Sequence, residues 1–200
     1  MKTIITINRQ YGSGGREIGR KLAEQLGVPF YDNEIISRAA KETGFSEAAF
    51  ETVEDKATNS LLYSIAMGMN VFTNQDAGFA GLSLDDRIFL AQSNVIRKVA
   101  EEGGCVIVGR CADFILQDRT DCLKVFIHAD LKFRADRIVR VYGEREKSPE
   151  ARLKEKDKRR AAYYRFYTDM KWGTASNYHI ALDSGVISIE KCAKIIESLA

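Results

Sequence analysis

A chain of 200 residues holds one core of ordinary size, with room for a small inserted lobe. Apolar and charged shares of 45% and 29% are those of a globular protein, and a formal net charge of +2 argues against a dedicated duplex-DNA binder. No apolar run nears the roughly 18 residues of a membrane span, and the first residues lack a signal-peptide layout. The expectation is a cytoplasmic protein with no membrane and no nucleic-acid partner.

In chain order, residues 3–7 are short, apolar and β-branched, which predicts a buried strand. "NRQYGSGGREIG" (8–19) follows, then a helix over 16–26 with Ile18, Leu22, Ala23 and Leu26 on one face and Gly27 at its end. Residues 28–31 predict a second short strand. Asp32 or Asn33 can cap the next helix. Ser46 starts another, running to about residue 67, and the Gly-, Asn- and Ser-rich stretch 68–84 predicts a loop. A longer helix is expected over 84–102, closed by Gly103 and Gly104. "CVIVGR" (105–110) and "CLKVFIHA" (122–129) predict buried strands, and residues 131–142 a basic helix. After a polar break at 143–149 comes a charged, then aromatic helix over 150–167. "YHIALD" (178–183) is a last strand, and Ser188 caps the final helix. Strands alternating with helices imply an α/β layered fold with a mainly parallel sheet.

Cys105, Cys111, Cys122 and Cys192 make no C-x-x-C pair and have no histidine close in sequence, so reduced thiols are expected. His128 and His179 stand alone beside apolar runs and read as structural.

The glycine loop between strand and helix is the chemically informative stretch. Such a turn aims several backbone N–H groups at one point, and the helix dipole adds to the attraction for an anion. Gly12, Gly14 and Gly15 let the backbone close around phosphate oxygens. The usual phosphate-loop lysine and Ser/Thr are absent, and Gly15 and Arg16 stand at about those places. Arg16 can supply positive charge through a bidentate fork. Ser13 is the hydroxyl within the loop; Arg9 could also reach the loop, but its spacing alone says little. A dinucleotide-binding G-x-G-x-x-G, with Asp32 as its later acid, is disfavoured by Glu17 at the third glycine position. A tight turn without a ligand is the other alternative.

Further along, "YDNEIISR", "VIVGRCADFIL", "FIHADLKFRADRIVR" and "KEKDKRRAAYY" resemble, in order, motifs of the cytidylate kinase family, especially its cytidylate kinase-like branch. The resemblance covers most of the chain, with residues 43–84 matched least. It implies a three-layer P-loop nucleoside-monophosphate kinase fold in one domain, residues 1–200. A helical NMP-binding lobe is expected at about 43–84 and a lid at about 131–167. It also implies transfer of the γ-phosphoryl of ATP, with Mg2+, to CMP or dCMP. By resemblance Asp32 and Arg38 hold the acceptor, with Asn33 and Glu34 standing where the family has Ser and Gly. Arg110 faces the acceptor nucleotide, and Asp113 takes the place of a family aspartate that is Cys111 here. Arg137 and Arg140 match lid arginines that act with Arg16 in catalysis, and Asp157 and Arg159 match the segment that closes on the acceptor. Gly12, Ser13, Gly14, Gly15 and Arg16 would hold ATP. Tyr163, Tyr164, Phe166, Tyr167 and Trp172 read first as helix packing, with base stacking as the alternative.

Phosphoryl transfer needs spread negative charge neutralised and held in line, so arginines from several segments are expected at one site. Arg110 ends a buried strand, and strand carboxyl ends face the ligand crevice in such sheets. Two other readings stay open at this point. One is a nucleotide-binding regulator with a degenerate loop. The other is a kinase of the same fold for another small metabolite.

Overall fold

The computed structural model describes residues 3–50, 82–143 and 148–200. Five strands form one sheet: β1 (Ile4–Arg9), β2 (Phe30–Tyr31), β3 (Cys105–Val108), β4 (Cys122–His128) and β5 (Ile180–Asp183). All pairings among them are parallel, in the order β2-β3-β1-β4-β5. The α/β expectation holds, and the sheet is more uniform than "mainly parallel".

The helices are α1 (Gly15–Leu26), α2 (Asn33–Thr43), α3 (Leu84–Glu102), the single turn α4 (Ala112–Ile115), α5 (Leu131–Tyr142), α6 (Pro149–Thr168) and α7 (Ile189–Glu197). Residues 47–50 are also helical. The expected helix to residue 67 and loop to 84 otherwise lie mostly outside the described residues.

Side-chain alternation splits the core between two sheet faces. Ile5, Ile7, Val106, Val108, Val125 and Ile127 pack with Ile18 and Leu22 of α1 and Ile196 of α7. Ile4, Cys105 and Ile107 pack on the other face with α2, α3 and the aromatic end of α6. There Phe89 and Tyr167 stack with centroids 4.0 Å apart, and Tyr163, Tyr164, Phe166 and Trp172 belong to the same packed cluster. A smaller cluster of Ala135, Ile138 and Leu153 joins α5 to α6, with Tyr11 of the glycine loop against it.

Local chemistry sets the helix ends. Ser83, Asp130 and Ser188 cap α3, α5 and α7 through their side-chain oxygens. Gly27 takes a left-handed conformation at the end of α1, and Pro149 sits in the first turn of α6. All four cysteines are free and buried, and burial pushes Cys105 up to about 12 and Cys122 and Cys192 up to about 11. Among the described residues no helix is long and apolar enough to cross a membrane.

The strand order reverses at β1, which has β3 on one side and β4 on the other. Connections leaving β1 and β3 therefore diverge, and a crevice opens at their carboxyl ends. The glycine loop and Gly109-Arg110 lie there.

Candidate active site

The loop from Gln10 to Gly14 is fastened to its surroundings. Gln10 N–H donates to Ile127 O (3.0 Å), and Gln10 Oε1 accepts from Ala129 N–H (3.2 Å). Ser13 Oγ donates to Gln10 O (2.8 Å), while Ser184 Oγ donates to Ser13 O (2.5 Å). Ser13 is thus turned into the fold and fully buried. Gly12 and Gly14 have φ of 79° and 82°, so the turn demands glycine there. Space is equally tight at Gly12, where a Cβ would lie 3.0 Å from Arg134 O and from Ile138 Cγ2. The first amides of α1 have no partner within the helix, and Gly14, Gly15 and Arg16 at its start line the crevice.

A cleft of about 380 Å3 opens in front of this loop. It is lined by Gly12, Gly14 and Gly15, and by seven cations: Arg9, Arg16, Arg110, Arg152, Lys156, Arg159 and Arg160. Asp32 is the carboxylate in that lining. The cations come from the end of β1, the start of α1, the end of β3 and one face of α6. Such concentration of one sign in a walled cleft raises the local concentration of anions.

The turn after β3 is unusual. Gly109, Arg110 and Cys111 have φ of 78°, 58° and 54°, so two non-glycine residues are left-handed in succession. Each costs about 1–2 kcal/mol, and such strain clusters at functional sites. The turn brings a buried Arg110 to the junction of the main cleft with a smaller one bounded by Asn8, Tyr164 and Trp172.

Of the residues singled out from sequence, Gly12, Gly14, Gly15, Arg16, Asp32, Arg110 and Arg159 meet at the main cleft. Arg16 is about half exposed, and its Nε lies 2.6 Å from Asp32 Oδ2. Arg159 also pairs with Glu155 one turn earlier on α6. The others are elsewhere. Arg38 lies over the Tyr31 ring at 5.0 Å and beside Glu102 at 3.4 Å. Arg137 is buried, paired with Glu17 (2.5 Å) and donating to Tyr142 OH (2.9 Å). Its guanidinium flanks Gly14 from behind. Arg140 is exposed on α5. Asp157 joins α6 to the loop, accepting from Tyr11 N–H (2.7 Å) and from Arg134 Nη1 (2.5 Å).

Asp113 is buried and accepts from Asn8 Nδ2 (2.9 Å) and Tyr164 OH (2.8 Å). Burial raises its carboxyl above the usual carboxylate range, opposed by the hydrogen bonds from Tyr164 and Asn8. An acid whose folded value is raised supports the fold fully below its unfolded value, and loses that support as pH rises through the folded value. Asp113→Asn, which cannot ionise, should therefore gain stability relative to the parent as pH climbs from about 4 toward neutrality. Denaturant unfolding at stepped pH checks this, and parallel curves for the two proteins would reject it.

Sequence reading passed over Arg152 and Arg160. The signal was present: positions 152, 156, 159 and 160 share one face of a helix by 3.6-residue spacing, and all four are cationic. Arg134 was passed over too; it is bound to the loop and to Asp157 rather than lining the cleft.

The cleft places a glycine turn, a helix start and convergent arginines where a parallel sheet changes direction. A family model described as "Cytidylate kinase-like family" matches residues 4–186. A protein named cytidylate kinase from Methanopyrus kandleri is 25% identical over 207 residues, covering 99% of this chain and 93% of its own. A crystal structure of an uncharacterized protein from Eubacterium ventriosum superposes with a TM-score of 0.72 at 29% identity, covering 98% of this chain and 97% of that one. Shikimate kinase from Bacteroides thetaiotaomicron superposes with a TM-score of 0.55 at 15% identity over 98% and 97% of the two chains, and shows the fold alone. The fold is thus that of the P-loop kinases, and, by a match that runs from β1 past β5, the chain belongs to the cytidylate kinase-like family.

Proposed function

We propose that this protein transfers the γ-phosphoryl group of ATP to a nucleoside monophosphate, with CMP or dCMP as acceptor. The observation that carries the reading is the single cleft in which loop glycines and seven cations from separate segments face one space. Family membership supports it. In this reading the backbone of Gly12, Gly14 and Gly15 cradles the triphosphate. Arg110 and the α6 cations Arg152, Lys156, Arg159 and Arg160 hold the acceptor phosphate and the transferred group. The acceptor is already an oxyanion, so no general base is required, and the work of the site is alignment and charge neutralisation. Residues 131–167 act as the lid that closes over the site and excludes water. Residues 43–84 supply the acceptor lobe.

Mg2+ keeps most of its ligands as water and phosphate oxygens and asks a protein for one or two carboxylates. Asp32, in the cleft lining and paired with Arg16, is the carboxylate that would hold the ion, which would supply charge neutralisation to the phosphates. Among the described residues no group of three or more His, Cys, Asp or Glu could hold a metal by itself.

The position of Arg38, away from the cleft, favours a second acceptor class: another small phosphorylated or hydroxylated metabolite. A coupled assay with Mg-ATP and a panel of nucleoside monophosphates, extended to such metabolites, tests both. Turnover of CMP or dCMP above the others is expected. ATP binding by calorimetry without transfer to any acceptor would replace the reading with a nucleotide-binding role.

A further inference from the structure

The phosphate-loop pattern G-x-x-x-x-G-K-[ST], laid on this chain with its second glycine at Gly14, puts the first glycine at Arg9 and the lysine at Gly15. These two departures lie six positions apart, and in the fold they touch. A Cβ on Gly15 would lie 2.6 Å from Arg9 Cβ and 3.0 Å from Arg9 Cγ, with Ile127 Cβ at 3.3 Å closing the other side. Arg9 Cβ is next to the backbone of a central strand and cannot swing aside. A side chain at 15 and the Arg9 side chain therefore exclude each other.

The far end of Arg9 reaches across the crevice. A Cβ on Gly109 would run into its guanidinium, and Nη2 lies 4.0 Å from Asp32 Oδ1. The side chain is only 14% exposed, and it lines both the main cleft and the smaller one. Arg9 thus runs from the end of β1, over one glycine at the start of α1 and against another after β3, into the space before the loop. Arg16, by contrast, is half exposed and pairs with Asp32.

We propose that Arg9 is the phosphate-binding cation of this loop, taking over the lysine's charge from the opposite end of the motif. This rests on the kinase reading of the cleft, and it names the ligand group as the β/γ end of a nucleoside triphosphate. The exchange replaces a point charge with a planar fork able to bind two oxygens at once. It also explains why residue 15 is glycine although its φ does not require one.

The test combines ligand binding with ligand-free stability. Calorimetry with ATP and with inorganic tripolyphosphate should show binding to the parent protein, on the order of 30-fold weaker in Arg9→Met. The loss should be smaller in Arg9→Lys, which keeps charge without the fork, and smaller in Arg16→Met than in Arg9→Met. In thermal melts without ligand, Gly15→Ala should lower the melting temperature in the parent and much less in an Arg9→Gly background. Arg9→Gly/Gly15→Lys should recover binding that Arg9→Gly loses. Unchanged affinity in Arg9→Met and Arg9→Lys would remove Arg9 from the site while leaving the kinase reading in place. An equal cost of Gly15→Ala in both backgrounds would remove the exchange. A parent protein that binds neither ligand would overturn the kinase reading together with this one.

Discussion

Asp157→Ala should cost about 3–5 kcal/mol of folding stability, the largest loss expected from any single polar side chain near the cleft. Asp157 accepts from Tyr11 N–H and from Arg134, and it is the counter-charge of Arg134. Arg134 is buried and also donates to Ala129 O (3.0 Å) and Tyr11 O (3.1 Å), so it cannot move to water when its counter-charge is deleted. The variant leaves one uncompensated cation and one orphaned amide in the seam between α5, α6 and the glycine loop. Asp157→Asn keeps an acceptor for Tyr11 N–H and should cost less. Denaturant unfolding measures both. A loss below about 1 kcal/mol, accompanied by a raised KM for the acceptor, would return Asp157 to the acceptor-binding role its family motif implies.

Arg110→Met should reduce kcat/KM for the acceptor about 100-fold while leaving the fold intact. Removing one preorganised charged donor from a site of this kind costs roughly 2.7–4 kcal/mol in the transition state. Methionine follows the buried stem of Arg110 and keeps the same backbone strain, so stability should change little. Steady-state kinetics with saturating Mg-ATP, read beside a thermal melt, separates the two effects. Full activity in the folded variant would make the strained turn after β3 a packing feature only.

Most of the architecture was written in local pattern. Among the described residues, the β-branched runs and capping residues locate the strands and long helices to within a few positions, because most of them carry an apolar face or an apolar run. β2 is shorter than its apolar run, since only Phe30 and Tyr31 pair with β3. The turn α4 follows from the left-handed residues before it, which no propensity announces.

The site was legible as a place and less so as a set of contacts. Gly12, Gly14 and Arg110 are recognisable because turn geometry and the end of a buried strand are properties of the sequence itself. Arg137 looks like any lid arginine, and only the fold sets it opposite Glu17, 120 positions away. The link between Asp157 and Tyr11 spans 146 positions. Arg9 and Gly15 are six apart, yet their mutual exclusion is visible only once the loop has turned back on its strand.

The fastening of the glycine loop has a thermodynamic consequence. Its carbonyls, amides and one hydroxyl are already held by Ile127, Ala129, Ser184, Arg134 and Asp157 before any anion arrives. A loop held on so many sides surrenders little conformational freedom on binding, so the triphosphate end should bind without the entropic penalty that accompanies the ordering of a slack segment. In the proposed reading, the ordering cost then falls on the segments proposed to close over the acceptor. At equal affinity, donor binding would then carry the smaller conformational-entropy cost.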